Sequence, residues 1–417
     1  MEYRGRVEAL RLYVTTASTA PLRKPIWAIL ALAVGGFAIG TTEFATMGVL
    51  DEIADGIGVS VPSAGHLITA YALGVVVGVP ILSFFAASLP RKTLLIGFMG
   101  FYALFNLMSA VVSSYGLLTL ARFLDGLPHG AYFGVASLVA ANLVTGPNRG
   151  RAVAGVMMGL SVANVIGVPA ATWLGQNAGW RATYVTCSVL ALVTVLLVLL
   201  AVPHQPGDEK ATGRSEAKQF FGSLQVWLTM AAGAIGFGGL FSVYSYISKT
   251  VTSVGGLDKG AVPFFTLAFG LGMVVGTWAA GELAQWSVYR SLLLAGGGGA
   301  VALLLFWVAA PHGWWLWPVA FSVSGIGSVL VVNLQLRLMD VAGNAVTLGA
   351  AMNHAALNVA NALGAFLGGA VIDSGFSYRA PAIVGAGLSV LGVAILVWSA
   401  MIHRRTALTP TFAGEKP

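Results

Sequence analysis

The 417-residue sequence is 57% hydrophobic and only 9% charged, with a mean hydropathy of +0.84. A soluble domain carries about 25% charged residues, so a soluble enzyme or binding module is excluded and a membrane protein is indicated. The net charge of +7 does not point to nucleic acid, because the basic residues lie between apolar segments, and a single cysteine, Cys187, rules out a disulfide framework or a Cys-based metal site.

Residues 1–24 are basic (Arg4, Arg6, Arg11, Arg23, Lys24) and run into a full-length apolar stretch. That pattern fits a cytoplasmic N-terminal segment before a first spanning helix better than a cleaved signal peptide. A span needs roughly 20 mostly apolar residues. In chain order the stretches that qualify are 25–49, 64–86, 93–113, 116–145, 151–175 and 180–202, then 224–248, 260–284, 291–310, 314–338, 346–372 and 379–402. Between the two sets lies one long polar stretch, residues 203–222, read as a cytoplasmic linker containing Asp208, Glu209, Lys210, Arg214, Glu216 and Lys218. Two bundles follow, 25–202 and 223–402, with a polar tail over 403–417. With the N-terminus inside, one side collects Arg91, Lys92, Arg149, Arg151, Arg290 and Arg337 besides the linker and tail cations. The other side keeps Arg181, Lys249, Lys259 and Arg379, and its first loop is acidic (Asp51, Glu52, Asp55). By the positive-inside rule both termini are cytoplasmic.

The chain also repeats itself. Gly159 to Gly167 (GLSVANVIG) is echoed by Ala356 to Gly364 (ALNVANALG), Trp180-Arg181-Ala182 by Tyr378-Arg379-Ala380, and Gly74/Gly78 by Gly272/Gly276. The displacement stays near 198 residues, which predicts two six-helix halves. Six is even, so the halves share one membrane orientation: parallel repeats about an axis along the membrane normal. The fold class expected is an all-α polytopic membrane protein with twelve transmembrane helices.

Several motifs resemble the major facilitator superfamily, in its twelve-helix drug:proton antiporter branch, over about residues 25–402. They are Thr42-Glu43-Phe44 with Met47 to Leu50, Tyr71 to Gly74, Arg122 to Gly126 running into Pro128-His129-Gly130, and Asn164 to Gly167 with Pro169 ahead of Gly179-Trp180-Arg181. The resemblance implies alternating access around a central cavity, a small-molecule substrate exchanged for protons across the inner membrane, and a monomer without cofactor or nucleic-acid partner. It also implies a gating role for Arg91 and Lys92 in the loop between the second and third spans, and for Asn164, Gly167 and Pro169 in the antiporter motif. The acidic residue usual in that loop is absent, with Ala87 in its place; Asp340 is one acid that could replace it.

Charges inside a bilayer cost about 2.5–3.5 kcal/mol on insertion scales and are functional suspects. Glu43 lies eight residues before Asp51, about 12 Å below the outer end of its helix at 1.5 Å per residue. A carboxyl caught between the cost of burial and the pull of a neighbouring cation can take up and release a proton; the bland alternative is a packing residue bonded to nearby threonines. Arg122, Asp125 and His129 share one helix face at i, i+3 and i+7. They form either a proton relay or a structural ion pair beside a packing histidine. At the repeat offset these positions become Phe241, Ala320, Val323 and Gly327, so the proton chemistry is expected to belong to the first half. The second half then supplies cavity wall from Phe237, Phe241, Tyr244, Tyr246, His354, Asn358 and Asn361, with Tyr71 a weaker candidate from the first. Asn164 and Asn361 recur in both halves, as for an interhelical hydrogen bond. No phosphate-binding loop, metal cluster or nucleophile–base pair stands out. Proton-coupled export leads; nutrient uptake, facilitated diffusion, and a non-transporting membrane receptor or enzyme are the alternatives.

Overall fold

In a bilayer no water is present to satisfy backbone polar groups, so each apolar stretch must pair its amides within itself. The computed structural model, which describes residues 25–59, 61–86, 88–207 and 213–408, is accordingly built from helices, with no strand among the described residues. The first half holds α1 (Pro25–Gly48), α2 (Leu50–Ile57), α3 (Val61–Ala86), α4 (Arg91–Val111), α5 (Tyr115–Asn142), α6 (Arg149–Val162), α7 (Val168–Ala178) and α8 (Trp180–Ala201). After the linker helix α9 (Gly213–Gly222) come α10 (Leu224–Gly236), α11 (Gly238–Tyr244), α12 (Val262–Ala309), α13 (Leu316–Val341), α14 (Val346–Asp373) and α15 (Pro381–Leu408). The expectations placed on residues 1–24, Ala87, Asp208 to Lys210 and 409–417 lie outside the described residues, as do the side chains of Asp51, Arg214, Glu216, Lys259, Arg404 and Arg405.

Each expected span coincides with helix. By length and hydropathy nine described stretches could cross a membrane, because Val262–Val341 is one apolar run covering three expected spans. Tyr115–Asn142, which carries Arg122 and Asp125, is not among the nine. Within α12, Ser287 takes extended angles (φ −173°, ψ 116°) and breaks the rod; its Oγ accepts from the Arg290 amide at 3.3 Å, capping the helix that follows. Ser114 and Ser223 cap α5 and α10 in the same way. The acidic stretch after α1 is itself mostly helical (α2) and ends on Gly58 at φ +70°, a left-handed position that suits glycine. The linker is anchored: Phe220 is fully buried, and Gln219 accepts from the Asn344 amide.

The repeat recurs as packing. Gly74 lies against the Phe123 carbonyl and Gly78 against Leu127. Exactly matching positions one repeat later, Gly272 and Gly276, lie against the Phe321 and Gly325 carbonyls. A Cβ at any of the four would collide with backbone, so glycine is what lets α3 meet α5 and α12 meet α13 this closely. Between α6 and α7 the chain makes a π-helical turn, Ala163–Gly167, with Pro169 in the first turn after it. A widened turn followed by a residue lacking an amide donor is a place where a helix can bend.

The two halves touch where α6 packs on α12 and where α3 and α5 pack on α14. Small residues permit this contact: Gly130 and Gly134 lie against Ala351, and Gly150 against Ala284.

Candidate functional site

A cavity of about 80 Å³ sits between the halves. That is room for a few waters and far less than the 300–1,000 Å³ of a drug-sized site, so a solute of that size requires the halves to part. From the first half its wall takes Glu43, Phe44, His129 and Asn164. From the second it takes Phe237, Phe241, Tyr244, His354, Asn358 and Asn361, with Phe269 on α12.

Glu43 is placed on this wall by α1, whose Thr41, Thr42 and Thr46 hydroxyls are spent on carbonyls one turn back. No hydrogen bond or ion pair among the described residues holds its carboxyl; Arg122 is the cation within its electrostatic reach. Arg122 and Asp125 do not line the cavity. They lie behind it, both 0% exposed, joined at 2.6 Å. Asn106 Nδ2 donates to the other Asp125 oxygen at 2.6 Å, and the guanidinium stacks 4.4 Å from the Tyr71 ring and 5.5 Å from that of Tyr184. Arg122 is therefore the cation near both carboxyl groups, and Asp125 has taken it.

His129 and His354 meet across the halves, Nε2 to Nδ1, at 3.2 Å. His129 also bonds Tyr71 through Nδ1 at 2.9 Å, and the His354 ring stacks on Phe133 at 4.2 Å between centroids. This corrects one expectation: ionisable groups do not come from the first half alone, because the second half supplies His354. His354 was expected on the cavity wall, but the repeat comparison gave it no part in the proton chemistry because it occupies no position that aligns with a first-half charge.

Three other expectations are corrected. Tyr71 is 2% exposed and absent from the cavity wall; its hydroxyl bridges His129 and Tyr102 instead. Tyr246 also misses the wall, turning its hydroxyl to the Ala365 carbonyl at 2.7 Å. Asn164 reaches the cavity, yet its amide donates to Leu160 one turn back on its own helix and not to another helix. Asn361 lines the cavity as well. Gly167 packs on Thr41 and Phe37, where a side chain would not fit.

At one end of the inter-half contact, Arg151 on α6 grips Glu282 on α12 with two parallel bonds, 2.7 and 2.6 Å. Nearby Gln335 on α13 bonds Ser137 on α5. Glu282, and not Asp340, is thus the acid that forms a cross-half ion pair among the described residues. Lys92 caps α8 by donating to the Leu199 carbonyl at 2.8 Å, and Arg91 is buried with its amide on Gln205; these bonds stay on the first-half side. Neither Glu282 nor Asn106 was singled out from sequence. An isolated asparagine in the apolar run of α4 was a readable signal for Asn106, and a carboxylate inside the expected span 260–284 was one for Glu282, though nothing local names its partner.

The family model of the Major Facilitator Superfamily matches residues 32–353. The inner membrane transport protein YdhP of Escherichia coli O157:H7 is 37% identical over 88% of this chain and 94% of its own length. The chloramphenicol resistance protein of Streptomyces lividans is 31% identical over 80% of this chain and 86% of its own. Among solved structures, the E. coli fucose:proton symporter FucP superposes with a TM-score of 0.73, covering 90% of this chain and 99% of that one at 12% identity, which shows a shared fold.

Proposed function

The chain belongs to the Major Facilitator Superfamily and is a multi-pass membrane transporter, not an enzyme; from that premise we propose that it exports small apolar or amphipathic solutes in exchange for protons. It works as a monomer in the inner membrane with both termini in the cytoplasm. Glu43 carries the proton. The observation that carries this reading is a mismatch of charge: Arg122 is already paired with Asp125, while Glu43 stands on the cavity wall with nothing bonded to it. An unpaired carboxylate in a membrane interior is costly, so Glu43 is satisfied either by a proton or by a charge-compensating arrangement brought with solute. Proton and solute then exclude each other, which is the requirement for exchange.

Two further features support the reading. The α6–α12 and α5–α14 contacts close the end that holds Arg149, Arg151 and Arg290, which by charge asymmetry is the cytoplasmic end. The relatives include one named for chloramphenicol resistance. Alternating access then consists of breaking the Arg151–Glu282 grip and parting the small-residue contact, and the π turn before Pro169 gives α6–α7 a place to bend.

The test uses everted vesicles carrying an internal pH dye, with a proton gradient imposed and antibiotics, sugars and metabolites added singly. A transported solute dissipates the gradient in the direction of exchange. Solute and protons moving the same way would overturn the export reading.

A further inference from the structure

Three polar contacts join the halves in succession. Arg151–Glu282 lies at the cytoplasmic end, Ser137–Gln335 comes next, and His129–His354 is reached last, where both rings border the cavity. His129 precedes Ser137 by eight residues on α5, about 12 Å along the helix, and in between Gly130 and Gly134 lie against Ala351. The two rings are 1% and 2% exposed and meet at 3.2 Å. Whichever ring donates, the bond needs an N–H on one facing nitrogen and a lone pair on the other. Two protonated rings would present N–H to N–H and repel. A single added proton keeps the bond but leaves a charge in a contact nearly closed to water, against the stacked Phe133 ring.

No hydrogen bond or ion pair among the described residues joins either ring to a carboxylate that would offset such a charge. Facing the pair are Tyr71 from α3, bonded to His129, and Tyr102 from α4 behind it. Arg122 from α5, paired with Asp125, stacks on the Tyr71 ring. Glu43 from α1 and Tyr244 from α11 stand on the cavity wall. From α13 and α14 the polar neighbours are the amides Gln335, Asn353 and Asn358, while Arg149 and Arg151 on α6 and Arg337 and Asp340 on α13 belong to the cytoplasmic end. The other helices packed on α14, α10 and α15, carry no titratable side chain among the described residues. A closed contact and a charged pair therefore oppose each other, and a proton favours the arrangement in which the rings part and meet water.

We propose that the His129–His354 bond is a proton-released latch on the cytoplasmic end: the neutral pair holds α5 against α14, and protonation from the cavity lets them separate. This rests on the export reading above for the side from which protons arrive, and it says how their entry opens the opposite side. Exclusion between proton and solute stays with Glu43, while the latch sets when the cytoplasmic end opens. Histidine suits that task because its charge ordinarily changes between pH 5 and 8.

The experiment reads the opening as a distance. Spin labels go on cysteines replacing Thr145 and Asn344, two exposed residues just beyond the cytoplasmic ends of α5 and α14, with Cys187→Ala to leave no other thiol. The full-length protein is placed in lipid nanodiscs without solute, and label distances are measured between pH 8 and about 5.5, above the usual carboxylate range. With native histidines the ratio of long to short distances should rise at least about tenfold on acidification. Glu43→Gln should keep that rise. The double variant His129→Gln with His354→Gln has nothing to protonate there, so its ratio should change less than about twofold, whether it rests open or closed at pH 8. The proposal is overturned if acid does not lengthen the distance in the protein with native histidines, or if the double variant responds as that protein does. It is overturned too if Glu43→Gln abolishes the response, which assigns it to that carboxyl. Should the double variant fail to fold, His354→Gln alone decides: a diminished response supports the latch and an undiminished one overturns it. Because neither solute nor gradient is present, acid opening with failed exchange would sink the export reading and leave the latch standing, and exchange without acid opening would do the reverse.

Discussion

Replacing Arg122 with methionine removes the cation in direct contact with Asp125, a carboxylate with no exposure, and leaves it, among the described residues, one hydrogen bond, from Asn106. Breaking a buried pair by deleting one member costs about 3–5 kcal/mol, because the survivor remains charged and dry. Losing the guanidinium from above Tyr71 and Tyr184 accounts for about 1–2 kcal/mol within that range. The single variant should therefore lose about 3–5 kcal/mol of apparent unfolding free energy in an SDS titration of purified protein. Adding Asp125→Asn removes the stranded charge, and the double variant should recover most of that loss. It should not recover proton coupling, because Glu43 has lost the cation within its reach. The reasoning is refuted if Arg122→Met unfolds within about 1 kcal/mol of wild type, or if the double variant is no more stable than the single one.

Other outcomes follow from the packing between and within the halves. Glu282→Gln should loosen the closed end slightly, as expected for a solvent-screened but bidentate pair. The readout is faster alkylation of a cysteine placed at Ala284, which lies against Gly150; an unchanged rate would count against the latch. Reversing the pair with Arg151→Glu and Glu282→Arg together should restore the rate. Gly276→Val drives a side chain into the Gly325 backbone and should lower the melting temperature more than Gly297→Val, whose Cβ meets nothing within 4 Å; equal effects would contradict the close helix crossing.

Much of the architecture was readable because its causes are local. Hydropathy marks the helices, since each span must be apolar on its own, and the glycine pairs at 74/78 and 272/276 showed the duplication because close crossings leave no room for other residues. The Arg122–Asp125 pair was readable from i, i+3 spacing on one helix. The His129–His354 bond joins residues 225 apart and the Arg151–Glu282 pair residues 131 apart, and no periodicity predicts such partners. Aromatic residues misled for a related reason. In a chain apolar on every side, composition does not tell a ring facing a cavity, such as Tyr244, from one facing a neighbouring helix, such as Tyr246.

Proton-driven export through Glu43 is tested most directly by comparing two modes of transport in proteoliposomes containing wild type or Glu43→Gln. In solute-for-solute counterflow no proton is needed, and the variant should match wild type. Under an imposed pH gradient, wild type should accumulate solute toward the proton-rich side and the variant should only equilibrate it. Gradient-driven accumulation by Glu43→Gln would contradict the account.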